Sequence, residues 1–376
     1  MSFDQIILWV MAFGALVGAA DKIFGNKLGL GEKFDEGFEA MGALALGMVG
    51  IVCLAPVISN VLGPVIIPVF EAVGADPAMF ASIIANDMGG YPLAMELAQT
   101  QEAGLLAGNI VASMLGCTLV FSIPVGLGLI EKEDQPFFSK GLLIGMITIP
   151  VGSILGGLIV GFDMGMVLIN VVPVLFLSVL FALGLKFIPS QMIKGCMIFG
   201  QFITIVIYIG LACAAFEYIT GIVLIPGMAP IMDGMVSVAG IGIILLGTFP
   251  VLSVLVKVLD KPLNSIGQKI GLDATSAAGL VFTLANSVPV YKMMKDMNKK
   301  GIVVNTAWLV PATAALGDHL GFTAGVEPGM ITPVVVSKLA AGVLAILLAF
   351  LWSRDLSVEE AQSAKIKAQH DAKEKD

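Results

Sequence analysis

Long apolar runs recur along this chain, at residues 5–24, 34–56, 103–130, 141–161, 165–187, 195–220, 235–256, 301–317 and 331–352. Roughly 20 apolar residues in a helix cross about 30 Å of hydrocarbon. In lipid the backbone must satisfy its own hydrogen bonds, so each run reads as a spanning helix. Composition agrees: 57% of the 376 residues are apolar and 13% are charged, whereas soluble domains are nearer half apolar and a quarter charged. The expected fold is an all-α polytopic membrane protein. Residues 5–20 have an acidic flank before them and no small-residue cleavage site after them. They therefore read as a retained first helix rather than a removable signal.

Two stretches break the pattern. In AMFASIIANDMGGYPLAMELA (78–98) the apolar opening stops after Ala85, and Asn86, Asp87, two glycines, Tyr91 and Pro92 follow. So short a run cannot span, and a polar, glycine-rich break is tolerated at membrane depth only when buried in protein or facing a wet cavity. The stretch is read as a re-entrant hairpin with a polar tip. SAAGLVFTLANSVPVYKMMKDM (276–297) repeats it, placing Asn286 and Tyr291 where the first copy has Asn86 and Tyr91.

The correspondence extends beyond the hairpins. Asp21 falls opposite Glu217, Glu36-Gly37 opposite Asp233-Gly234, Gly74-Ala75-Asp76 opposite Gly271-Leu272-Asp273, and LGCTLVFS (115–122) opposite LGDHLGFT (316–323). Matches in one order at a near-constant offset indicate internal duplication. The expected organisation is a first membrane repeat (1–161), a linking transmembrane helix (162–192), a second repeat (193–353) and a charged tail (354–376). Each repeat holds about four spanning helices and one re-entrant hairpin. With the hairpins not crossing, 19 of the 20 Lys and Arg fall on one side, and only Lys338 is left over. The positive-inside rule makes that side cytoplasmic. The N-terminus then lies outside, the C-terminus inside, and the repeats are inverted, an architecture in which transporters bind substrate between the halves. Pro56, Pro64, Pro68 and Pro77 predict a broken, partly interfacial segment over residues 57–77, and residues 261–273 read as a short amphipathic piece.

Asp87 is the sharpest candidate residue, because an acid at membrane depth is costly and marks function. It would face a cationic substrate or a coupling ion; a wet position near the outer interface is the bland alternative. Asn86 and Asn286 either offer paired amides from the two tips or cap broken helices. Tyr91 and Tyr291 offer ring faces to an ammonium, or sit as ordinary interfacial tyrosines. Asp318-His319 pairs an acid with the one histidine outside the tail, a proton relay or cation site, or else a helix-end pair at the surface. Thr118 lines the path or bonds a backbone carbonyl. Lys338 calls for an acidic partner, for which Asp318 or Glu327 would serve. Glu36 and Glu39 are expected to begin a helix and stabilise its N-terminus.

Cys53, Cys117, Cys196 and Cys213 lie in apolar segments without metal-ligand spacing. They read as buried apolar residues, and no metal or cofactor is expected. One intramembrane-region histidine is too few for a metalloprotease, and no nucleophile elbow suggests a serine hydrolase. A scaffold or signalling subunit would have no need of polar hairpin tips. The net charge of −8 is spread over scattered acids, and no nucleic-acid partner is expected.

FDEGFEAMGALALGMVG, LGPVIIPV, NDMGGYPLAMELA, VFSIPVGLGLIE, GLKFIP and ALGDHLGF run from residue 34 to beyond 320. At these residues the chain closely resembles the ethanolamine utilisation permease family called EutH. The resemblance implies a carrier or facilitator that takes ethanolamine across the bacterial cytoplasmic membrane, with no enzymatic step. Ethanolamine is mostly an ammonium at neutral pH and carries one hydroxyl. A carboxylate or aromatic face suits the cation and an amide or hydroxyl suits the oxygen, groups that Asp87, Tyr91, Asn286 and Asp318 offer. Proton or sodium coupling, channel-like facilitation, coupled carriage of another small amine, and self-association through Gly-rich helices all stay open at this stage.

Overall fold

The computed structural model describes residues 2–84, 90–269 and 271–353. All secondary structure among them is helical. In chain order the helices are α1 (Phe3–Ile23), α2 (Leu30–Ala72), α3 (Ala78–Ile84), α4 (Gly90–Leu97) and α5 (Gln101–Leu105). A wide-wound π-helical stretch, Leu106–Ser122, continues α5 directly into α6 (Ile123–Leu129). There follow α7 (Gln135–Val160), α8 (Met164–Phe187), α9 (Pro189–Thr220) and α10 (Ile231–Lys269). The chain closes with α11 (Ala274–Ala285), α12 (Ser287–Met293), α13 (Lys299–Ala312), α14 (Asp318–Val326) and α15 (Ile331–Trp352).

Among the described residues, 8 helices are long and apolar enough to cross a membrane, counting Gln101–Leu129 as one rod. The ninth expected span, 301–317, is not one helix: α13 ends at Ala312, a turn follows, and α14 begins at Asp318. Apolar stripes face outward, as on α8, where Leu168, Val172, Leu175, Phe176 and Val179 are exposed at helical spacing. Such a stripe is stable against lipid and not against water.

The proline-rich stretch 57–77 departs from expectation, since α2 runs unbroken through Pro56, Pro64 and Pro68 to Ala72. Proline removes one amide and crowds the carbonyl of the preceding turn, but neighbouring helices can hold such a helix together. Here α2 packs closely on α9 and α10. A Cβ at Gly50 would collide with the Ile207 carbonyl of α9, so only glycine permits that approach. Likewise α10 continues to Lys269 through most of the expected amphipathic piece. Because α2 starts at Leu30, Glu36 and Glu39 lie beyond its first turn. The open amides at that start are met by Asp21, whose carboxylate accepts from Leu28, Leu30 and Gly31 at 3.0, 2.8 and 3.2 Å.

Both hairpins close with the same clasp. Asp76 accepts from Ala78 N–H at the entry of α3 (2.9 Å) and from Gln99 N–H after α4 (3.0 Å). Asp273 accepts from Ser276 N–H in α11 (2.8 Å) and from Asn298 N–H after α12 (2.7 Å). One carboxylate touching both ends means that each hairpin leaves where it entered. α3 has 7 residues and α11 has 12, about 10 and 18 Å of helix, short of a crossing.

The interior is built on the π-helical stretch, of which every residue but Phe121 is buried. Against it pack α3, α4, α7, α13 and α15. Contacts also link the basic segments: Lys257 Nζ donates to Leu28 O (3.4 Å), and Lys299 pairs with the buried Asp134 (2.6 Å).

Candidate functional site

Two interruptions in the second half meet each other. α11 ends at Ala285, and Asn286 takes extended backbone before α12 begins. α13 ends at Ala312, and Ala314 adopts a left-handed φ of 52° before α14 begins. A non-glycine residue there costs about 1–3 kcal/mol and persists only when its surroundings dictate it. The surroundings are the open carbonyls that end α11: Ala314 N–H donates to Thr283 O and Leu316 N–H to Leu284 O, each at 2.9 Å. Each break thus satisfies backbone groups that the other exposes. Gly317 completes the contact, because a Cβ there would overlap the Ala285 carbonyl.

A cavity of about 340 Å³ opens beside this junction. Asn286, Ser287, Thr313, Asp318 and His319 form its polar wall. Cys117 and Phe121 of the π-helical stretch face them. Small residues of α2, Ala40, Ala43 and Gly47, leave the room, and Phe249 of α10 borders it. Asn286 also caps α12, its Oδ1 accepting from Val288 N–H at 2.8 Å. Asp318 lies in the first turn of α14, where the helix dipole favours its carboxylate. His319 and Ser287 are buried, while Asp318 is half-buried and Asn286 exposed. Helix C-termini from α11 and α13 and N-termini from α12 and α14 converge here, giving partial charge of both signs. The wall can therefore hold a small cation that also carries a hydrogen-bonding group.

Of the residues singled out in the sequence, Asn286, Asp318 and His319 come together at this cavity. Thr118 does not line it: its hydroxyl, fully buried, donates to the carbonyls of Met114 (2.7 Å) and Val310 (3.3 Å), tying the π-helical stretch to α13. Tyr291 is buried edge-on against Phe138, with ring centroids 6.1 Å apart. Tyr91 packs edge-on against Phe322 and donates its hydroxyl to Glu327 at 3.1 Å. Lys338, fully buried in α15, donates to the Ser113 carbonyl at 2.6 Å. Asn86 and Asp87 lie outside the described residues.

Cys117, Ser287 and Thr313 went unnoticed as cavity residues in the sequence. Cys117 had a signal, since it occupies the place in LGCTLVFS that Asp318 holds in LGDHLGFT. Ser287 likewise falls opposite Asp87. Among the described residues no three His, Cys, Asp or Glu side chains gather as a metal site.

Fold and cavity together define a class: polytopic helical membrane proteins in which discontinuous helices meet at a cavity with one polar wall. Within that class the chain belongs to the EutH family, since the family profile described as "Ethanolamine utilisation protein, EutH" matches residues 3–352. It is 50% identical over 347 residues to a protein of Listeria monocytogenes named "Probable ethanolamine permease EutH", covering 92% of this chain and 93% of that protein. A protein of the same name from Salmonella typhimurium is 43% identical over 411 residues, covering 99% of this chain and 100% of its own. The Bacillus subtilis protein named "Uncharacterized protein YxeR" is 44% identical over 366 residues, 97% of each. No solved structure matches the chain.

Proposed function

We propose that this protein is a permease that carries ethanolamine across the cell membrane, inward, with the solute held in the cavity between the two helix breaks. The observation that carries this reading is the meeting of Asp318, His319, Asn286 and Ser287 at the junction of α11–α12 with α13–α14. Asp318 takes the ammonium, because burying that cation without a charged or hydrogen-bonding partner costs several kcal/mol. Asn286, Ser287 and the amides opening α12 take the hydroxyl. The cavity is at the small end of ligand sites, about 300–1,000 Å³, which suits a two-carbon amino alcohol. Asp87, opposite Ser287 in the repeat, is assigned as a second acid on the solute path. The names of the relatives agree with transport rather than catalysis.

Transport proceeds by alternating access, the two hairpins exposing the cavity first to one side and then to the other. The matched clasps at Asp76 and Asp273 support a duplicated design. The first hairpin opens at the far end of α2 from the basic loop 22–33, whereas the second opens beside Lys299. Opposed hairpins favour inverted repeats, with the lysine-bearing end and the C-terminus cytoplasmic.

The test is uptake of labelled ethanolamine into proteoliposomes, with and without imposed proton or sodium gradients. Gradient-driven accumulation supports a coupled carrier, and equilibration alone supports a facilitator. Asp318→Asn is expected to weaken half-saturation by about 10–100-fold, the worth of a hydrogen bond to a charged group. Wild-type uptake by Asp318→Asn removes Asp318 from the site. No uptake by well-folded wild-type protein refutes the permease reading.

A further inference from the structure

A second cavity, about 630 Å³, shares no lining residue with the first and lies among different helices. It opens where α7 and α9 begin and where α8 and α15 end. Lys132, Lys140 and Lys186 line it, and among the described residues none that lines it is acidic. Among the described residues none of these three lysines makes an ion pair. The first turns of α7 and α9 contribute Gln135 and Pro189 to the wall, so two helix N-termini lie beside the three ammonium groups; the N-cap of α7, Asp134, is already paired with Lys299.

The remaining wall is apolar, from Leu143, Leu185 and Ile193, with Trp352 at the rim. Beside the opening, Phe187 and Ile188 are exposed, continuing the lipid-facing surface of α8. A tryptophan at the end of a spanning helix marks the headgroup level. An anion here therefore sits with its charge at the membrane interface and an apolar flank directly beneath. Basic pockets between spanning helices with this layout suit phospholipid headgroups.

We propose that this cavity is a binding site for an anionic phospholipid, its phosphate held by Lys132, Lys140 and Lys186 and its acyl chains laid along the exposed face of α8. The site is separate from the solute cavity, and its test reads lipid binding rather than transport. Each basic residue facing an anionic headgroup contributes about fivefold in affinity. Three together set a ceiling of about a hundredfold, and a preference of at least about tenfold is expected because Lys132 and Lys186 are also open to water.

The experiment takes the full chain, purified in detergent and stripped of lipid. It is titrated with phosphatidylglycerol, with phosphatidylcholine as the neutral control, and with inorganic phosphate, and bound species are counted by native mass spectrometry. Wild type should prefer phosphatidylglycerol over phosphatidylcholine by about tenfold or more. The combined Lys132→Gln, Lys140→Gln and Lys186→Gln variant should lose that preference, and the matching Lys→Arg variant should keep it. If the triple variant does not fold, the Lys132→Gln and Lys186→Gln pair, both at exposed positions, should lose about half of it on a logarithmic scale. An unchanged preference in folded glutamine variants overturns the proposal. Inorganic phosphate binding as tightly as the lipid assigns the site to a free anion and overturns it too. Zero-length cross-links from Lys140 or Lys186 to Glu359 or Glu360 that persist with lipid present assign the cavity to the chain's own tail, also overturning it.

Discussion

Replacing Gly317 by alanine puts the junction of the two breaks to the test. The added Cβ would fall on the Ala285 carbonyl, a backbone atom that cannot rotate away. Separating the two segments strains or breaks the Ala314–Thr283 and Leu316–Leu284 hydrogen bonds, both 2.9 Å, worth about 1 kcal/mol each. Overpacking adds about 1–3 kcal/mol, so a total of about 3–5 kcal/mol is expected if both bonds break, a shift of several degrees or more in the thermal midpoint of detergent-solubilised protein. A local reporter is built in: Trp308 of α13 donates its indole N–H to Leu280 O of α11 at 2.9 Å. Separation of these helices should change Trp308 fluorescence before global unfolding. Ethanolamine uptake should fall about tenfold or more, since 1.4 kcal/mol of lost preorganisation is already a factor of about ten. Gly329→Ala is the control, because nothing lies within 4 Å of a Cβ built there. A Gly317→Ala protein with wild-type midpoint, fluorescence and uptake would show that the breaks do not support one another.

The hairpin clasps and their neighbours give further expectations. Asp273→Ala removes the acceptor shared by Ser276 and Asn298 and should cost about 1–2 kcal/mol, read as faster hydrogen exchange across residues 274–298; unchanged exchange there would refute the clasp. Asp76→Ala should do the same for the first hairpin through Ala78 and Gln99. Tyr91→Phe keeps the edge-on contact with Phe322 but loses the bond to Glu327, a cost of about 1 kcal/mol at this half-buried position. An unshifted melting curve for Tyr91→Phe would mean that the Glu327 bond contributes nothing.

The short apolar runs before Asn86 and Asn286 were enough to predict elements too short to span, because a helix rises by a fixed length per residue and the hydrocarbon is thick. The clasps at Asp76 and Asp273 use aspartates that fall opposite each other in the sequence repeat. The apolar runs likewise defined a helical membrane protein. Local reasoning failed where packing outweighs propensity. Prolines at 56, 64 and 68 read as breaks, yet α2 continues through them because α9 and α10 hold it. Residues 301–317 read as one span, yet the helix stops at Ala312 and restarts at Asp318, because Ala314 and Leu316 give their amides to α11.

The same division runs through the candidate site. Asp318, His319 and Asn286 stood out as polar groups in apolar surroundings, a property of sequence alone. That they share one cavity, while Thr118, Tyr91 and Tyr291 bond or pack elsewhere, was decided by tertiary structure. Thr118 bonds the Met114 carbonyl one turn back in its own helix, a partner any buried helical hydroxyl can find, and the packing of α13 against the π-helical stretch adds Val310 as a second acceptor. Sequence determines which groups are costly to bury, because transfer from water depends on chemistry alone. Structure decides which distant partners offset that cost, as Glu327 does for Tyr91 and Ser113 for Lys338, because such partners lie far away in the chain.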